Sequence, residues 1–289
     1  MSDRTAGVVM LCDPGGGNVE KQIQLRGEPY GLCWSPDGER LYVAENGAGT
    51  VAEIDPDQGA VSRRFRVGMY PRGLRCAKNG KMLLVANSET HSISAVDLEN
   101  GNEKKKIEVP RAPFAIAVDR ARSRAFVSNQ LPAGQATDPD YAPEVSVLDL
   151  DSLEFEADIA LPAGSTGVRG ICIGPQERWA YVVHTIGRTG VPLTQFARGW
   201  VTTHALSVLD LEKTERYATV LLDNITEGAA DPWDLACSPD GKRLWVTLSG
   251  THELARIRLG RLHRYMKGGL PDDHPLTRNA NNPAGATNI

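Results

Sequence analysis

The chain has 289 residues, of which 41 % are hydrophobic and 24 % are charged, and its formal net charge is −4. Charges of both signs are mixed, so no basic face for nucleic acid is expected, and no run approaches the ~18 apolar residues of a membrane helix. The five cysteines are widely spaced, without C-x-x-C or C-x-x-C-H, which argues against a disulfide framework and against covalent c-type haem.

The N-terminal stretch lacks the basic and apolar regions of a signal peptide. Two short apolar runs follow, Gly7–Asp13 and Glu20–Leu25. They resemble the last two strands of a four-stranded unit whose first two strands are absent. The glycine run between them, Asp13–Asn18, opens no helix, so it is predicted to be a hairpin connection rather than a phosphate-binding loop.

Five segments that share one pattern come next in the chain. Their equivalent positions are Gly31, Gly73, Ala115, Gly170 and Asp234. The spacings of 42, 42, 55 and 64 residues indicate a base period of 42 residues with insertions of 13 and 22 residues. Self-similarity at a fixed period is the signature of a repeat architecture.

Each repeat contains four short apolar runs bounded by turn signals, with no helical periodicity between them. The first two runs are joined by SPDG at Ser35–Gly38 and again at Ser238–Gly241, which suits a type I turn. The third run ends near an acid, and these acids are predicted to stabilise turns: Asp55, Asp97, Asp149 and Asp210. Four antiparallel strands every ~40 residues predict the blades of an all-β β-propeller.

We place the propeller at residues 1–260, as about five repeats that begin near residues 27, 69, 111, 166 and 230. The half-blade at residues 7–25 either completes the fifth repeat in a closed ring of five blades, or belongs to an incomplete part of a larger propeller. The second interpretation is favoured, because Glu253–Leu259 would compete with Gly7–Asp13 for one strand position. Residues 261–289 are predicted to form a disordered tail or linker.

Two sets of aligned positions are expected to meet at one face of the propeller, which we call the top face. The second strands end at Glu45, Asn87, Asn129, His184 and Leu248. The first strands are preceded by Tyr30, Arg72, Phe114, Arg169 and Trp233. Propellers usually bind ligands at this face, so these side chains are candidates for binding a ligand or partner. The alternative for the two asparagines is that they turn the backbone.

Two insertions, Pro132–Pro143 and His184–His204, extend from the same face. Long loops of this kind are uncommon without a role. In the longer insertion, Arg188 and Arg198 are candidates for binding an anionic or aromatic partner, because guanidinium groups pair with carboxylates and stack on rings. Trp200 is predicted to pack the end of this loop against the blade.

Two kinds of metal site are possible at the top face. A carboxylate with amide oxygens suits a hard cation such as Ca²⁺, and the oxygen-bearing residues are Glu45, Asn87 and Asn129. Asp231 could approach such a site, and His184 could act as a base on a bound water. This layout resembles that of calcium-dependent propeller lactonases and gluconolactonases. Alternatively, His184 and His204 could meet at the base of the long insertion and bind a transition metal.

The cysteines follow the repeat rather than a redox motif. Cys33 and Cys172 share one position of the first strand, and Cys76 and Cys237 share the next. Buried thiols commonly pack as small hydrophobic side chains. The pattern therefore indicates core packing.

The motifs RLYVAEN at Arg40–Asn46 and LLVANS at Leu83–Ser88 resemble the signature of YVTN-type β-propeller repeats, and the resemblance covers roughly residues 7–260. The run from Gly187 to Trp233, with RGW, ALSVLDL and YATVLLD, is similar to a subgroup with about seven blades that is often joined to a di-haem cytochrome c peroxidase-like domain. That domain is not expected in this chain. The resemblance implies a cytochrome-type partner and the bacterial periplasm or cell envelope.

These observations predict a non-catalytic binding or scaffold module that presents its top face to a protein partner, possible partners including a haem protein. No cofactor is expected in the chain itself, apart from the Ca²⁺ of the alternative interpretation. That alternative is a lactone hydrolase of the gluconolactonase type. The small number of acids expected at the channel mouth argues against it, and fold alone does not decide between the two.

Overall fold

The computed structural model of the protein describes residues 1–15, 17–135, 138, 141–187, 202–223 and 228–268. Within these ranges the chain is an all-β β-propeller whose antiparallel strands form six sheets. None of the helices in the described part is long and apolar enough to cross a membrane. The chain divides into a first unit, Met1–Asn129 with Ser146–Ala157, and a second unit, Gln130–Val145 with Asp158–Ile289.

The first unit contains three complete sheets, in each of which the strands pair in chain order. The first sheet consists of β1 (Ser2–Asp3), β2 (Val8–Cys12) and β3 (Val19–Gln24). The second consists of β4 (Pro29–Trp34), β5 (Leu41–Glu45), β6 (Thr50–Asp55) and β7 (Ala60–Arg66). The third consists of β8 (Pro71–Ala77), β9 (Met82–Asn87), β10 (Ser92–Asp97) and β11 (Glu103–Glu108).

The fourth sheet contributes residues to both units, and the fifth and sixth belong to the second unit. The fourth consists of β12 (Pro113–Asp119), β13 (Arg124–Asn129), β14 (Glu144–Asp149) and β15 (Glu154–Ala160). The fifth consists of β16 (Ser165–Thr166), β17 (Ile171–Ile173), β18 (Trp179–Gly187), β19 (Thr202–Asp210) and β20 (Glu215–Leu221). The sixth consists of β21 (Pro232–Cys237), β22 (Arg243–Leu248) and β23 (Glu253–Arg258), and helix α1 (Leu259–Met266) follows it.

The number of blades differs from the sequence prediction, because the described residues form six blades rather than about five or seven. The N-terminal half-blade at residues 7–25 forms a sheet of its own with β1, in which Ser2 pairs with Val9. The closed ring of five blades is therefore wrong. Residues 259–266 are helical, so the segment predicted as a disordered tail, 261–289, begins with ordered structure. Residues 269–289 lie outside the described part.

Consecutive sheets pack face to face within each unit. Val9 and Ile23 of the first sheet lie in one buried cluster with Val43 and Ile54 of the second. The second strands β5 and β9 are buried along their whole length, because they are covered on both faces. The fourth strand β11 buries only Ile107. The second strands β5 and β9 are thus enclosed up to the residues that end them, as is the third strand β10, whereas the second strand β22 of the sixth sheet is partly exposed.

The turns follow the sequence pattern. Gly38 and Gly241 each donate a backbone hydrogen bond of 2.9 Å to the serine three residues earlier, which confirms both SPDG turns. The acids that end the third strands accept backbone N–H groups two and three residues further on, as predicted: Asp55, Asp97, Asp149 and Asp210. These four carboxylates therefore stabilise turns.

Candidate functional site

The polar residues at the ends of the second strands are buried rather than open to a ligand. Glu45, Asn87, Asn129 and His184 all have an exposed fraction of 0 %. Each is hydrogen-bonded to a hydroxyl of the third strand in its own blade. The partners, in the same order, are Thr50 at 2.6 Å, Ser94 at 2.9 Å, Ser146 at 2.8 Å and Ser207 at 2.8 Å. These residues are equivalent in structure, as the repeat predicted, but they join strands instead of forming an open ring.

Asn87 shows what covers this position. The backbone of Gly68, in the connection that leads into β8, lies against the Asn87 side chain so closely that a Cβ on Gly68 would be 2.7 Å from Asn87 Cγ. Asn87 Nδ2 donates to Ser94, while its Oδ1 has no hydrogen-bond partner among the described residues. The connection between blades therefore closes over the end of the second strand.

Glu45 is fully occupied by donors from its own surroundings. The Arg64 guanidinium contacts both carboxylate oxygens, with Nε at 2.9 Å from Oε2 and Nη2 at 3.1 Å from Oε1. The Thr50 hydroxyl and the Arg26 backbone N–H donate to it as well, at 2.6 and 2.9 Å. Burial opposes ionisation, but these donors hold the pKa of Glu45 below its usual range. A cation would have to displace Arg64, so Glu45 does not fit the predicted Ca²⁺ site.

No group of three or more His, Cys, Asp or Glu side chains in the described ranges is arranged to hold a metal. The predicted pair of His184 and His204 is also wrong. His184 lies opposite Ala205, and His204 lies opposite Thr185, one residue further along the same two strands. Side chains of successive residues point to opposite faces of a sheet, so the two imidazoles lie on different faces.

We expect Ca²⁺ to leave the thermal stability of the protein unchanged. A bound cation would stabilise the native state by mass action, and Glu45 is already neutralised by Arg64. The measurement is the melting temperature in millimolar CaCl₂ and in EDTA, with MgCl₂ of equal ionic strength as the control. A rise that is specific for Ca²⁺ would contradict this assignment of Glu45.

The residues predicted to precede the first strands lie in contact within each unit, although four of them, Tyr30, Arg72, Phe114 and Trp233, are the second residues of those strands. In the first unit, the rings of Tyr30 and Phe114 lie 5.9 Å apart and nearly perpendicular. The Arg72 guanidinium lies 5.3 Å from the centroid of each ring, and its Nε donates to Ser88 Oγ at 3.1 Å. A cation held over two ring faces is a stabilising arrangement. Tyr30, Arg72 and Phe114 therefore form one cluster at the starts of β4, β8 and β12.

The equivalent residues of the second unit form a charged cluster. The Arg169 guanidinium lies 4.2 Å from the centroid of the Trp233 ring and forms an ion pair with Asp231. Asp231 also accepts a hydrogen bond of 2.7 Å from Ser249. Burial works against the charge, but Ser249 and Arg169 keep the pKa of Asp231 below its usual range. The predicted residues Arg169, Asp231 and Trp233 thus lie in one cluster. Ser249 belongs to the same cluster but was not predicted.

His204 is held by a carboxylate that the sequence did not point to. Its Nδ1 lies 2.9 Å from Asp223 Oδ1, and its backbone N–H donates to Asp223 Oδ2 at 2.5 Å. The backbone N–H of Ala229 donates to the same carboxylate at 2.8 Å. Burial opposes the charge, yet these bonds lower the pKa of Asp223. Asp223 ends the YATVLLD run, two residues after β20. This place near a strand end is the feature of the sequence from which Asp223 could have been predicted as a site residue.

The rest of the predicted site lies outside the described residues. Arg188, Arg198 and Trp200 fall in the segment 188–201, so their roles stay predictions. Leu131, at the start of the shorter insertion, is 39 % exposed. The described part of the candidate site consists of the Tyr30, Arg72 and Phe114 cluster in the first unit, and of the Arg169, Asp231, Trp233 and His204–Asp223 groups in the second.

Comparison with known proteins gives one family and one named protein. Residues 1–129 match the family described as SMP-30/Gluconolactonase/LRE-like region. Hydrazine synthase subunit beta from Kuenenia stuttgartiensis is 22 % identical over 98 residues, which are 34 % of this chain and 25 % of that protein. The match thus spans about a quarter of that curated relative.

A solved structure agrees along nearly the whole chain. A chain of Kuenenia stuttgartiensis hydrazine synthase superimposes with a TM-score of 0.85 at 17 % identity, and the match covers 98 % of this chain and 79 % of that one. At this identity the similarity establishes the β-propeller fold alone. The YVTN resemblance of the repeat motifs stays a prediction.

Proposed function

We propose that this chain is a non-catalytic β-propeller module that binds a protein partner through the connections at its top face. The observation that carries the proposal is the exposure of large apolar side chains on these connections and at the start of the strand that follows one of them. In the first unit, Met69 and Tyr70 are 59 % and 45 % exposed. In the second unit, Trp233 is 36 % exposed and lies on Arg169. Exposed aromatic residues and arginines are the usual anchors of protein interfaces.

Tyr70 adds a further argument. Its φ is 52°, a backbone conformation that a bulky residue rarely adopts. Ala112 and Asp231, at the equivalent positions before β12 and β21, have φ values of 56° and 55°. The backbone conformation thus belongs to the repeat, and alanine satisfies it in one blade. A large exposed side chain at Tyr70 is not needed for the fold, which supports a role in binding.

The name of the curated relative supports the proposal that this chain works within a protein complex. That protein is a subunit by its printed name. The sequence resemblance to peroxidase-associated propellers favours a haem protein as the partner and the bacterial periplasm or cell envelope as the compartment. Arg72, held over the rings of Tyr30 and Phe114, suits an acidic group on such a partner.

Lactone hydrolysis is the second candidate, and the match of residues 1–129 to the gluconolactonase family favours it. His184 does not suit the role of its base, because burial lowers the pKa of this imidazole to about 4 and excludes substrate. His204 would be the better base, since Asp223 fixes its Nδ1 side. A loss of lactone hydrolysis when His204 is replaced by alanine would identify this alternative.

We expect a photo-cross-linking phenylalanine derivative at Tyr70 to capture one partner in cells of the source organism. The matched control is Phe155, which is 44 % exposed in the same unit but lies in a fourth strand. The captured protein is then purified, and Tyr70→Ala should weaken its binding at least about tenfold, while Phe155→Ala should not. Soret absorbance of the purified complex would identify a haem partner.

Two results would overturn the proposal. One is equal capture from both positions, or capture from Phe155 alone. The other is hydrolysis of a γ- or δ-lactone panel by the purified chain that His204→Ala abolishes. The second result would establish the hydrolase instead, so the two candidate functions are distinguished by one set of proteins.

A further inference from the structure

Four of the five cysteines form two pairs of neighbouring thiols. Cys33 in β4 and Cys76 in β8 have their sulfur atoms 3.8 Å apart in the first unit. Cys172 in β17 and Cys237 in β21 have theirs 3.5 Å apart in the second unit. In each pair, one cysteine belongs to the first strand of a blade and the other to the first strand of the next blade. The sequence pattern indicated packing, but it did not reveal that these two positions come into contact between neighbouring repeats.

The same backbone geometry creates both pairs. Two residues before Cys33, a Cβ on Gly31 would be 3.4 Å from the Cα of Gly73 and 2.2 Å from the Arg72 carbonyl oxygen. Two residues before Cys172, a Cβ on Gly170 would be 2.7 Å from the Cα of Asp234. Only glycine allows adjacent strands to approach so closely. The partner cysteines lie three residues beyond Gly73 and Asp234, so each pair sits at the same place beside a close approach of two blades.

The two sulfur atoms of a pair differ in their surroundings. The backbone N–H of Cys76 donates to Cys33 Sγ at 3.4 Å. The adjacent Cys76 thiol, with a smaller contribution from the Arg75 charge, lowers the pKa of Cys33 to about 6, and the pKa of Cys76 is raised in turn. In the second pair, the Cys172 thiol lowers the pKa of Cys237. A thiolate beside a thiol is the arrangement that reacts with oxidants and then forms a disulfide.

A small oxidant can reach at least one sulfur of each pair. Cys76 lines a cleft of about 350 Å³ in the first unit, beside Lys78 and Val118. Cys172 and Cys237 are both partly exposed. Disulfide sulfurs are about 2.0 Å apart, so each pair must close by less than 2 Å, which side-chain rotation can supply. Cys12, in contrast, has its Sγ 4.0 Å from the Met10 carbonyl oxygen, and no other cysteine sulfur among the described residues is paired with it.

We propose that Cys33–Cys76 and Cys172–Cys237 are two oxidation sites at which a peroxide converts a dithiol to a disulfide that joins neighbouring blades. The thiolate of one cysteine attacks a peroxide oxygen, so the O–O bond breaks, a sulfenic acid forms and hydroxide leaves with a proton as water. The second thiol attacks the sulfenic sulfur, which forms the S–S bond and releases another water. Each pair loses two electrons and two protons, and one peroxide takes them up and becomes two waters.

The test is oxidation of the purified full chain with hydrogen peroxide, followed by thiol counting under denaturing conditions. The reduced chain has five thiols, and one, that of Cys12, should remain after oxidation. Peptide mapping should show the cross-links Cys33–Cys76 and Cys172–Cys237. Because the disulfides would close segments of 43 and 65 residues, the melting temperature should rise by about 4 °C or more and return on reduction with dithiothreitol.

Two variants separate the sites. Cys33→Ser should keep the Cys172–Cys237 cross-link and lose the other, whereas Cys12→Ser should keep both. A count that stays at five thiols would overturn the proposal. So would cross-links that involve Cys12, or irreversible oxidation of the paired cysteines without a cross-link.

Discussion

Arg64→Leu should lower the free energy of unfolding at neutral pH by about 3 kcal/mol, because it leaves a buried carboxylate without its counter-ion. Glu45 has no exposed surface, and Arg64 contacts both of its oxygens. The Thr50 hydroxyl and one backbone N–H would remain as donors. The loss should shrink as the pH falls and the unpaired Glu45 becomes protonated. Urea unfolding of both proteins at several pH values measures it.

Two control proteins make this result specific. Arg66→Leu removes an exposed arginine from the same strand and should change stability by no more than about 0.5 kcal/mol. The double variant Glu45→Asn with Arg64→Leu introduces the residue that ends the second strand in two other blades, Asn87 and Asn129. It should recover most of the lost stability. An Arg64→Leu protein as stable as Arg66→Leu would show that Glu45 is not held by this pair.

His184→Asn should remove an acid-dependent loss of stability of about 3 kcal/mol. Burial is the main cause that lowers the pKa of His184 from 6.5 to about 4. The unfolded chain therefore binds more protons than the folded one between these two pH values. The stability that His184 contributes is complete above pH 6.5 and falls as the pH decreases towards 4, by about 1.4 kcal/mol for each pH unit.

The readout is the difference between the two proteins across that pH range. Carboxylates with lowered pKa values, such as Asp223 and Asp231, make both proteins less stable at lower pH, so the wild-type curve alone is not diagnostic. Asparagine can donate to Ser207 as Asn87 does to Ser94. The exposed His252, replaced by asparagine, is the control and should leave the pH dependence unchanged. Parallel curves for wild type and His184→Asn would contradict the expected protonation of His184.

The repeat made much of the fold predictable. A period of 42 residues with turn signals located the blades, and the turn-forming acids such as Asp55 and Asp97 could be assigned from their place alone. The blade count was wrong because β1 has two residues, which is too short to show any periodicity. Helix α1 was missed, since it follows the last repeat and has no counterpart in the others.

The site was only partly predictable, for a different reason. Alignment shows at which end of a strand a side chain lies, but not what covers it. Arg72 and Trp233 were identified because they hold equivalent positions at the starts of first strands, and each contacts another residue of the same set. Asn87 is covered by the connection at Gly68, and Glu45 by Arg64 from the fourth strand. Neither cover is visible in the pattern of the second strand.

The fifth blade contains a long hairpin, formed by β18 and β19, that leads to the segment 188–201. Strands β18 and β19 each have nine residues, three of which extend past His184 and Ala205, so the hairpin rises about 10 Å further than this pair. Gly187 and Thr202 are still paired at its tip. The nine residue pairs from Trp179–Asp210 to Gly187–Thr202 set the register of this hairpin. We therefore expect substitutions within residues 188–201 to leave the register of this blade unchanged.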